Sequence, residues 1–244
     1  MTSMQLTDYK VLTFDCYGTL IDWESGIFNA LKPLLAEVAD KPGRNAAMEI
    51  FARYETTQER ATPDKLYPEL LSAVHAQLRS HWGVDGNGEL DRQFGQSVAH
   101  WPAFADSRAS LAYLKQHYQL VILSNVDRTS FAASNEKLGV EFDAIYTAED
   151  IGSYKPDPRN FEYMLEHLNR RGVEKAGILH TAQSLHHDHV QATAFGLATN
   201  WIDRRQDVEG YGATMPPTQD VRIDFRFPSM AAFVEAHRQA LKDA

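Results

Sequence analysis

An aspartate at the end of a predicted buried strand is the first residue in this sequence that is placed to do chemistry. The run 11–14 (Val-Leu-Thr-Phe) is apolar and rich in β-formers, and Asp15 follows it directly. Gly18 then lets the backbone turn sharply and approach a ligand closely. Ligands of open α/β sheets bind beyond the carboxyl ends of the strands, where a carboxylate can act as a nucleophile. We therefore take Asp15 as a candidate catalytic nucleophile, with a merely strand-terminating aspartate as the alternative.

Polar residues follow the later predicted strands in the same way, namely Ser124, Asn125, Lys155 and Asp188. Because the carboxyl ends of parallel strands meet at one edge of a sheet, we expect these side chains to lie around Asp15. A lysine at that edge would hold Asp15 ionised and bind a substrate anion. Asp188 would orient or deprotonate the water that cleaves a covalent intermediate.

The elements that must position these residues fall into a helical block and an alternating region. From about residue 23 to residue 101, apolar residues recur at helical spacing and no strand is predicted. From residue 102 onward, strands and helices alternate, which predicts an α/β fold with a parallel sheet and helices on both faces. We therefore predict a core domain of residues 1–22 and 102–244, with an all-helical domain of residues 23–101 inserted after the first strand.

Three of the predicted helices are of direct interest. Met48, Phe51 and Tyr54/Glu55 mark the second helix of the block, which Pro63 ends. The apolar residues between 90 and 101 predict the fourth helix of the block. Residues 187–195 are predicted to form a helix directly after the fourth strand.

Composition and charge narrow the classes of function. The chain has 244 residues and a net charge of -9, which argues against non-specific binding to nucleic acids. Cys16 is the single cysteine, so no internal disulfide can form, and a reducing compartment fits. No apolar run approaches the roughly 20 residues of a membrane span, and residues 1–10 lack the apolar region of a signal peptide. We expect a cytoplasmic protein that has neither nucleic acid nor a membrane as a partner.

Three segments together resemble the motifs of the haloacid dehalogenase (HAD) superfamily. They are Phe14-Asp15-Cys16-Tyr17-Gly18-Thr19-Leu20, Leu123-Ser124-Asn125 and Tyr154-Lys155-Pro156-Asp157. The resemblance covers residues 8–22 and 102–210, and it is closest to the type II L-2-haloacid dehalogenases. It implies a Rossmann-like core with a helical cap inserted after the first strand, a hydrolase without a cofactor and, since relatives are often dimers, a homodimer.

Tyr17 distinguishes this sequence from the magnesium-dependent phosphatases of the superfamily. Those enzymes have an acid two residues after the nucleophile, where this chain has Tyr17. They have a further magnesium-ligating acid at the position of Gln183. Magnesium and calcium ions prefer several carboxylate oxygens, so the loss of these acids disfavours a phosphatase. A departing halide needs no proton, and a tyrosine is therefore compatible with dehalogenation.

The resemblance implies a two-step mechanism at C2 of a small 2-substituted carboxylic acid. Asp15 displaces the substituent with inversion and becomes esterified, and water then hydrolyses the aspartyl ester at its carbonyl. Lys155 and Asp188 assist, and Thr19 supports Asp15. The substituent is a halide in the leading interpretation.

The resemblance also assigns residues to substrate binding. Ser124 and the backbone N–H groups of Cys16 and Tyr17 would hold the substrate carboxylate. Asn125 and an arginine of the cap would hold the halide. Arg53, on the second helix of the block, is our candidate for that arginine, and a solvated helix face is the alternative for it.

Departures from the dehalogenase pattern leave other functions open. The positions of a tyrosine and of a water-positioning asparagine hold Phe161 and Leu185, and His186 or His187 would take over water activation. One such relative opens the ring of azetidine-2-carboxylate, so a ring-opening hydrolase that breaks a C–N bond is an alternative. A magnesium-dependent phosphatase and a non-catalytic binding protein of the same fold are the others. The cluster of His180, His186, His187 and His189 with Asp188 matches no standard zinc spacing, and we predict no metal site.

Overall fold

The computed structural model describes residues 4–86 and 88–243. Six strands form one sheet: β1 (Val11–Phe14), β2 (Gln119–Ser124), β3 (Ala144–Thr147), β4 (Ile178–Ala182), β5 (Ala198–Ile202) and β6 (Phe225–Phe227). Their order across the sheet is β3-β2-β1-β4-β5-β6, and every neighbouring pair is parallel. The predicted α/β fold with a parallel sheet is confirmed.

The first strand lies at the centre of this sheet. Val11 pairs with Gln119 of β2 on one side and with Ile178 of β4 on the other. All four residues of β1 are buried, as expected for a strand that is covered on both faces. The chain therefore leaves β1 at the point where the strand order reverses, which is where ligands bind in open α/β sheets.

The described residues between β1 and β2 form helices and no strand of the sheet. The helices that precede residue 101 are α1 (Trp23–Glu37), α2 (Arg44–Ala61), α3 (Tyr67–His81), α4 (Gly88–Gly95) and a 3₁₀ segment, Gln96–His100. The predicted fourth helix is thus shorter than expected, because the α-helix ends at Gly95. A Cβ atom there would lie 2.1 Å from the carbonyl oxygen of Pro68, so only glycine allows α4 to pack this closely on α3.

Further helices follow in the alternating region. They are α5 (Ser107–Leu114), α6 (Arg128–Leu138), α7 (Ala148–Ile151), α8 (Pro158–Arg170), α9 (Val190–Ala194) and α10 (Met230–Asp243), with 3₁₀ turns at Leu6–Asp8 and Lys175–Gly177. The helix predicted over residues 187–195 was only partly correct. Residues Leu185–His189 form a π-helical turn, and the regular helix α9 begins after it. Wider turns of this kind often occur at functional sites.

Trp101 packs where the helical block meets the sheet-bearing part of the chain. Its side chain is buried and makes edge-to-face contacts with Tyr17, which follows β1, and with Tyr67 of α3. The division of the chain at residues 22/23 and 101/102 stays a prediction, as does the homodimer. Within the described residues, no helix combines the length and the apolar character that a membrane crossing requires.

Candidate active site

Asp15 lies directly after β1 and is held by both of its carboxylate oxygens. Thr19 Oγ1 donates a hydrogen bond to Oδ2 at 2.7 Å, and Lys155 Nζ donates one to Oδ1 at 2.9 Å. Thr19 is itself fixed, because its hydroxyl accepts a hydrogen bond from the backbone N–H of Gln183 at 2.9 Å. Gly18 makes the turn between Asp15 and Thr19. Its φ is 92°, a backbone conformation that would be strained in a residue with a side chain. The nucleophile is therefore oriented before any substrate arrives.

Lys155 is the centre of the charged group at this edge of the sheet. Besides Asp15, its ammonium group donates to Asp188 Oδ1 at 2.7 Å and to the carbonyl oxygen of Leu123 at 2.9 Å. Burial alone would lower the pKa of Lys155, but the charges of Asp15 and Asp188 outweigh it and raise that pKa. All three of its N–H groups donate hydrogen bonds, so Lys155 is protonated and has no donor left for another partner.

Asp188 is the second carboxylate bound to this lysine. His180 Nε2 lies 3.0 Å from Asp188 Oδ1, and the other ring nitrogen lies 2.9 Å from Thr13 Oγ1 of β1. Burial raises the pKa of Asp188, but the charge of Lys155 and the hydrogen bond from His180 prevail and lower it. Asp188 is thus an anion that cannot be protonated easily.

Asp15 differs from Asp188 in its proton affinity. Burial raises the pKa of Asp15, and the nearby charge of Asp188 raises it further, while Lys155 and Thr19 act in the opposite direction. Two carboxylates share one lysine, so the pair titrates together and Asp15 is the later of the two to ionise. The site can therefore keep Asp188 charged while Asp15 reacts.

A small cavity opens beside Asp15, between the sheet edge and the helical block. The space open to the centres of water molecules is about 30 Å³, enough for two or three waters or a compact small molecule. The sheet-bearing part of the chain contributes Asp15, Tyr17, Asn125, Val126, Lys155, Ser184 and His187 to its wall. The helical block contributes Trp23, Glu55, Glu59 and Tyr67.

Comparison with known proteins places this chain in a family. A family model described as haloacid dehalogenase-like hydrolase matches residues 9–180. The chain belongs to the haloacid dehalogenase-like hydrolases. This hydrolase is 27% identical over 203 residues to an (S)-2-haloacid dehalogenase of Pseudomonas putida, over 80% of this chain and 84% of that protein. It is 25% identical over 223 residues to a putative HAD-hydrolase, YfnB, of Bacillus subtilis, over 88% of this chain and 92% of that protein.

Solved structures give the same fold. The L-2-haloacid dehalogenase from Xanthobacter autotrophicus matches with a TM-score of 0.76 at 20% identity, over 95% of this chain and 99% of that one. Its structure with chloropropionic acid covalently bound matches with a TM-score of 0.75 at 20% identity, over 94% and 98% of the two chains. The magnesium-bound YfnB structure matches with a TM-score of 0.71 at 20% identity, over 93% and 97%. At these identities the likeness concerns the fold.

The structure brings the four predicted catalytic residues of the hydrolase together, since Asp15, Thr19, Lys155 and Asp188 are linked by the hydrogen bonds described above. His180 joins them, although the sequence singled it out only as a member of a histidine cluster. Its position in β4, beside the central strand that ends in Asp15, is the signal that could have identified it.

Of the residues predicted to bind the substrate carboxylate, Tyr17 lines the cavity, whereas Cys16 and Ser124 are buried at the same strand ends behind the cavity wall. Ser124 is buried at the end of β2, and within the described residues its hydroxyl has no hydrogen-bond partner. No hydrogen bond in the described chain engages the backbone N–H of Cys16 or Tyr17. The Tyr17 hydroxyl is 2.8 Å from Ser134 Oγ, which turns the end of this side chain towards α6. Burial raises the pKa of the Cys16 thiol well above its usual range, so no thiolate nucleophile is available here.

The two residues predicted to hold a halide are placed differently. Asn125 lines the cavity, but its Nδ2 already donates to Glu59 Oε1 at 3.1 Å and to the carbonyl oxygen of Lys155 at 2.9 Å. Arg53 is exposed and does not line the cavity. The prediction for Arg53 therefore has to be corrected. A step of two residues along a helix turns a side chain to nearly the opposite side, and in α2 it is Glu55 that faces inward.

Glu55 and Glu59 are the functional candidates that the sequence analysis missed. They follow the buried Phe51 at intervals of four residues and are themselves buried, with 3% and 5% of their surface exposed. Acidic residues in register with an apolar helix stripe are the signal that could have revealed them, because such residues are almost never buried without a role or a partner.

The histidines predicted to activate water are separated by the structure. His187 lines the cavity, and its Nδ1 lies 3.2 Å from Ser184 Oγ. Burial, together with the neighbouring His186, lowers the pKa of His187 to about 3, so its ring is neutral at pH 7. His186 is buried outside the cavity wall. Only His187 of the two is placed to meet a cavity water.

The residues do not fit the magnesium site of the phosphatases. Tyr17 and Gln183 stand at the positions of the two acids that would complete it, and neither offers a carboxylate. Within residues 4–86 and 88–243, no group of three or more histidine, cysteine or acidic side chains is arranged to hold a metal ion.

Proposed function

We propose that this hydrolase displaces a substituent from C2 of a small carboxylic acid through an ester between Asp15 and C2. The 2-haloacids are the leading substrate class. The observation that carries the proposal is the bridge that Lys155 makes from Asp15 to a second buried carboxylate, Asp188, at 2.9 and 2.7 Å. One cation thereby serves both the nucleophile and the group that assists the second step.

In the first step an Asp15 oxygen attacks C2 as the bond from C2 to the substituent breaks. The attack is favoured because the carboxylate is fixed by Thr19 and Lys155 and shielded from bulk water, with 6% of the residue exposed. The free N–H groups of Cys16 and Tyr17 and the Ser124 hydroxyl would hold the substrate carboxylate. The substituent leaves with the bonding electron pair, and Asp15 becomes an ester.

In the second step water attacks the ester carbonyl of Asp15. Oδ2 of Asp188 has no hydrogen bond within the described residues, so it can accept a hydrogen bond from that water and orient it for attack. His187, which is neutral and lines the cavity, is a second acceptor in reach of cavity water. The bond between the Asp15 carbonyl carbon and the substrate oxygen breaks, one proton of the water goes to that departing oxygen, and the other leaves through His187 to solvent. The 2-hydroxy acid departs, and Asp15 is regenerated as a carboxylate.

The relatives guide the choice among leaving groups and functions. (S)-2-haloacid dehalogenases are among the curated relatives, and one matching fold carries chloropropionic acid as a covalent adduct. A phosphatase is not proposed, because Tyr17 and Gln183 leave its acid positions without carboxylates. A non-catalytic protein is not proposed either, because burying the linked group of Asp15, Lys155 and Asp188 is costly unless their charges are used.

Turnover of 2-chloropropionate tests the proposal. We expect chloride release that is insensitive to a chelator and that falls by about 10³-fold or more in Asp15→Asn, since the nucleophile is then lost. Asp40→Asn, at an exposed position, is the matched control and should retain activity. Hydrolysis that is unchanged in Asp15→Asn, or that occurs only with phosphate esters and magnesium, would contradict the proposal.

A further inference from the structure

The wall of the cavity that the helical block contributes carries two carboxyl groups one turn apart, Glu55 and Glu59. The Tyr67 hydroxyl donates to Glu55 Oε1 at 2.6 Å, and Asn125 Nδ2 donates to Glu59 Oε1 at 3.1 Å. No hydrogen bond within residues 4–86 and 88–243 reaches Oε2 of either side chain. Each glutamate is thus held by one oxygen and presents the other to a ligand.

No lysine or arginine of the described residues forms an ion pair with these two carboxyl groups, and the charges of Lys155 and the exposed Arg60 only partly offset the rise in the pKa of Glu59. Lys155 is committed to Asp15, Asp188 and a carbonyl oxygen. His187 Nε2 lies 4.0 Å from Glu59 Oε2, but its ring is neutral at pH 7 because burial lowers its pKa to about 3. Burial of a carboxylate that has no counter-charge is expensive, so the empty site favours the protonated acids.

The proton content of the empty site agrees with this charge balance. Burial raises the pKa of Glu55 to about 8. Burial, and then the charge of Glu55, raises the pKa of Glu59 well above its usual range. A cation that enters the cavity would reverse the effect, since an opposite charge within about 4–6 Å favours the ionised carboxyl.

The chemistry of this wall suits a cation better than a halide. A halide needs hydrogen-bond donors or a positive charge, yet the Asn125 amide is occupied and Arg53 is exposed. A protonated amino nitrogen has up to three N–H groups to offer, and two of them match the two unengaged carboxyl oxygens. Ser124, whose buried hydroxyl has no partner, lies at the end of β2 next to Asn125 and suits the opposite, anionic end of a ligand.

We infer that Glu55 and Glu59 bind a protonated amino nitrogen of the substrate, so that the substrate is a small zwitterionic carboxylic acid. The inference rests on the proposed function, which places the substrate carboxylate and C2 beside Asp15. It adds the group that the helical block recognises.

Calorimetric binding of matched small acids tests the inference. Propionate is compared with 2-aminopropanoate and 3-aminopropanoate, which have the same chain length and carry an ammonium group. We expect at least one amino acid to bind the wild-type protein about tenfold more tightly than propionate. Its binding should release protons at pH 7, because the glutamates ionise, and this is measured from the dependence of the heat on the ionisation enthalpy of the buffer.

Variants of helix α2 provide the controls. Glu55→Gln and Glu59→Gln should each remove the preference for the amino acid, whereas Glu49→Gln, an exposed position on the same helix, should keep it. The inference is wrong if both amino acids bind no better than propionate, or if the preference persists in both cavity variants. The proton release of the wild-type protein is measured without any variant, so the test survives a variant that does not fold.

Failure of this inference is distinguishable from failure of the proposed function. If 2-chloropropionate is hydrolysed in an Asp15-dependent way while amino acids are not preferred, the inference falls and the function stands. If amino acids are preferred but no substrate esterifies Asp15, the proposed reaction is wrong and the cation site is supported.

Discussion

Two groups of buried carboxyl side chains face each other across the same cavity. They differ in what compensates their burial. On the sheet side, Lys155 compensates Asp15 and Asp188, and hydrogen bonds from Thr19 and His180 occupy the carboxylates further. On the helical side, Glu55 and Glu59 are buried with hydrogen bonds from neutral groups only. The sheet side therefore has a cation bound to both of its carboxyl groups, whereas burial without an ion-paired cation favours the protonated acids on the helical side.

The contrast separates what is fixed in this active site from what depends on the ligand. A group of charges that compensates itself is pre-organised and needs no reorganisation at the moment of reaction. A pair of protonated acids changes its charge when a ligand arrives, and the identity of the ligand decides how. The chemistry is thus set by the sheet, and the choice of substrate is set by the helices.

The largest expected effect comes from removing the cation of the sheet side. Lys155→Met leaves two carboxylates buried without a counter-charge, and the free energy of unfolding should fall by about 3–5 kcal/mol. Hydrolysis of 2-chloropropionate should be lost as well. Urea denaturation at pH 7 measures the first quantity and chloride release the second.

Lys115→Met is the matched control for that variant. Lys115 pairs with Asp143 at 2.7 Å, but both side chains are about one-third exposed, so the loss should lie within about 1 kcal/mol. Equal losses in the two variants would mean that the sheet side is not held together by its buried lysine.

An intermediate effect is expected when pH is raised through the range in which Glu55 ionises. Its pKa is raised from 4.5 to about 8 in the folded protein, so the folded state binds more protons than the unfolded state between these values. Stability from this group is therefore complete below about pH 4.5 and is lost as pH rises towards 8. Between pH 7 and pH 8 the free energy of unfolding should fall by about 1 kcal/mol because of Glu55.

Glu55→Gln isolates that contribution. The decrease between pH 7 and pH 8 should be about 1 kcal/mol smaller in the variant than in the wild-type protein, while Glu59 keeps a decrease of the same sign in both. Chemical denaturation at the two pH values provides the comparison. Parallel pH dependences of the two proteins would show that Glu55 is already ionised when the site is empty.

The smallest effect is expected at Arg53. Its side chain is exposed and makes no ion pair in the described part of the chain, so Arg53→Ala should change the free energy of unfolding by no more than about 0.5 kcal/mol. Hydrolysis of 2-chloropropionate should stay within about twofold of the wild type. A large rise in KM would show that Arg53 contributes to substrate binding. It would contradict the conclusion that the helical side of the cavity offers carboxyl groups and no cation.

The sheet side could be predicted from the sequence because parallel strands impose its geometry. Once the strands before Asp15, Ser124 and Lys155 are recognised, their carboxyl ends must meet at one edge. Asp188 follows β4 for the same reason, although the turn that carries it is a π-helical one. Strand β6, with three residues, is too short for alternation to reveal.

The helical side could not be predicted because the rotation of a helix is decided by its tertiary contacts. Arg53 and Glu55 are two residues apart in α2, and only packing of the block on the sheet decides which of them turns inward. Charge type misled the sequence analysis here, since the family resemblance suggested a cation for the cap. The apolar stripe that contains Phe51 carried the correct orientation.

A single turnover in water labelled with ¹⁸O tests the central claim most directly. Enzyme in excess over 2-chloropropionate is allowed to react once, and the mass of the peptide that contains Asp15 is measured together with that of the product. Attack by Asp15 predicts one heavy oxygen in the carboxylate of Asp15 and none in the 2-hydroxy acid. Label that enters the product on the first turnover and never enters the peptide would mean that water attacks C2 itself, and the account would be contradicted.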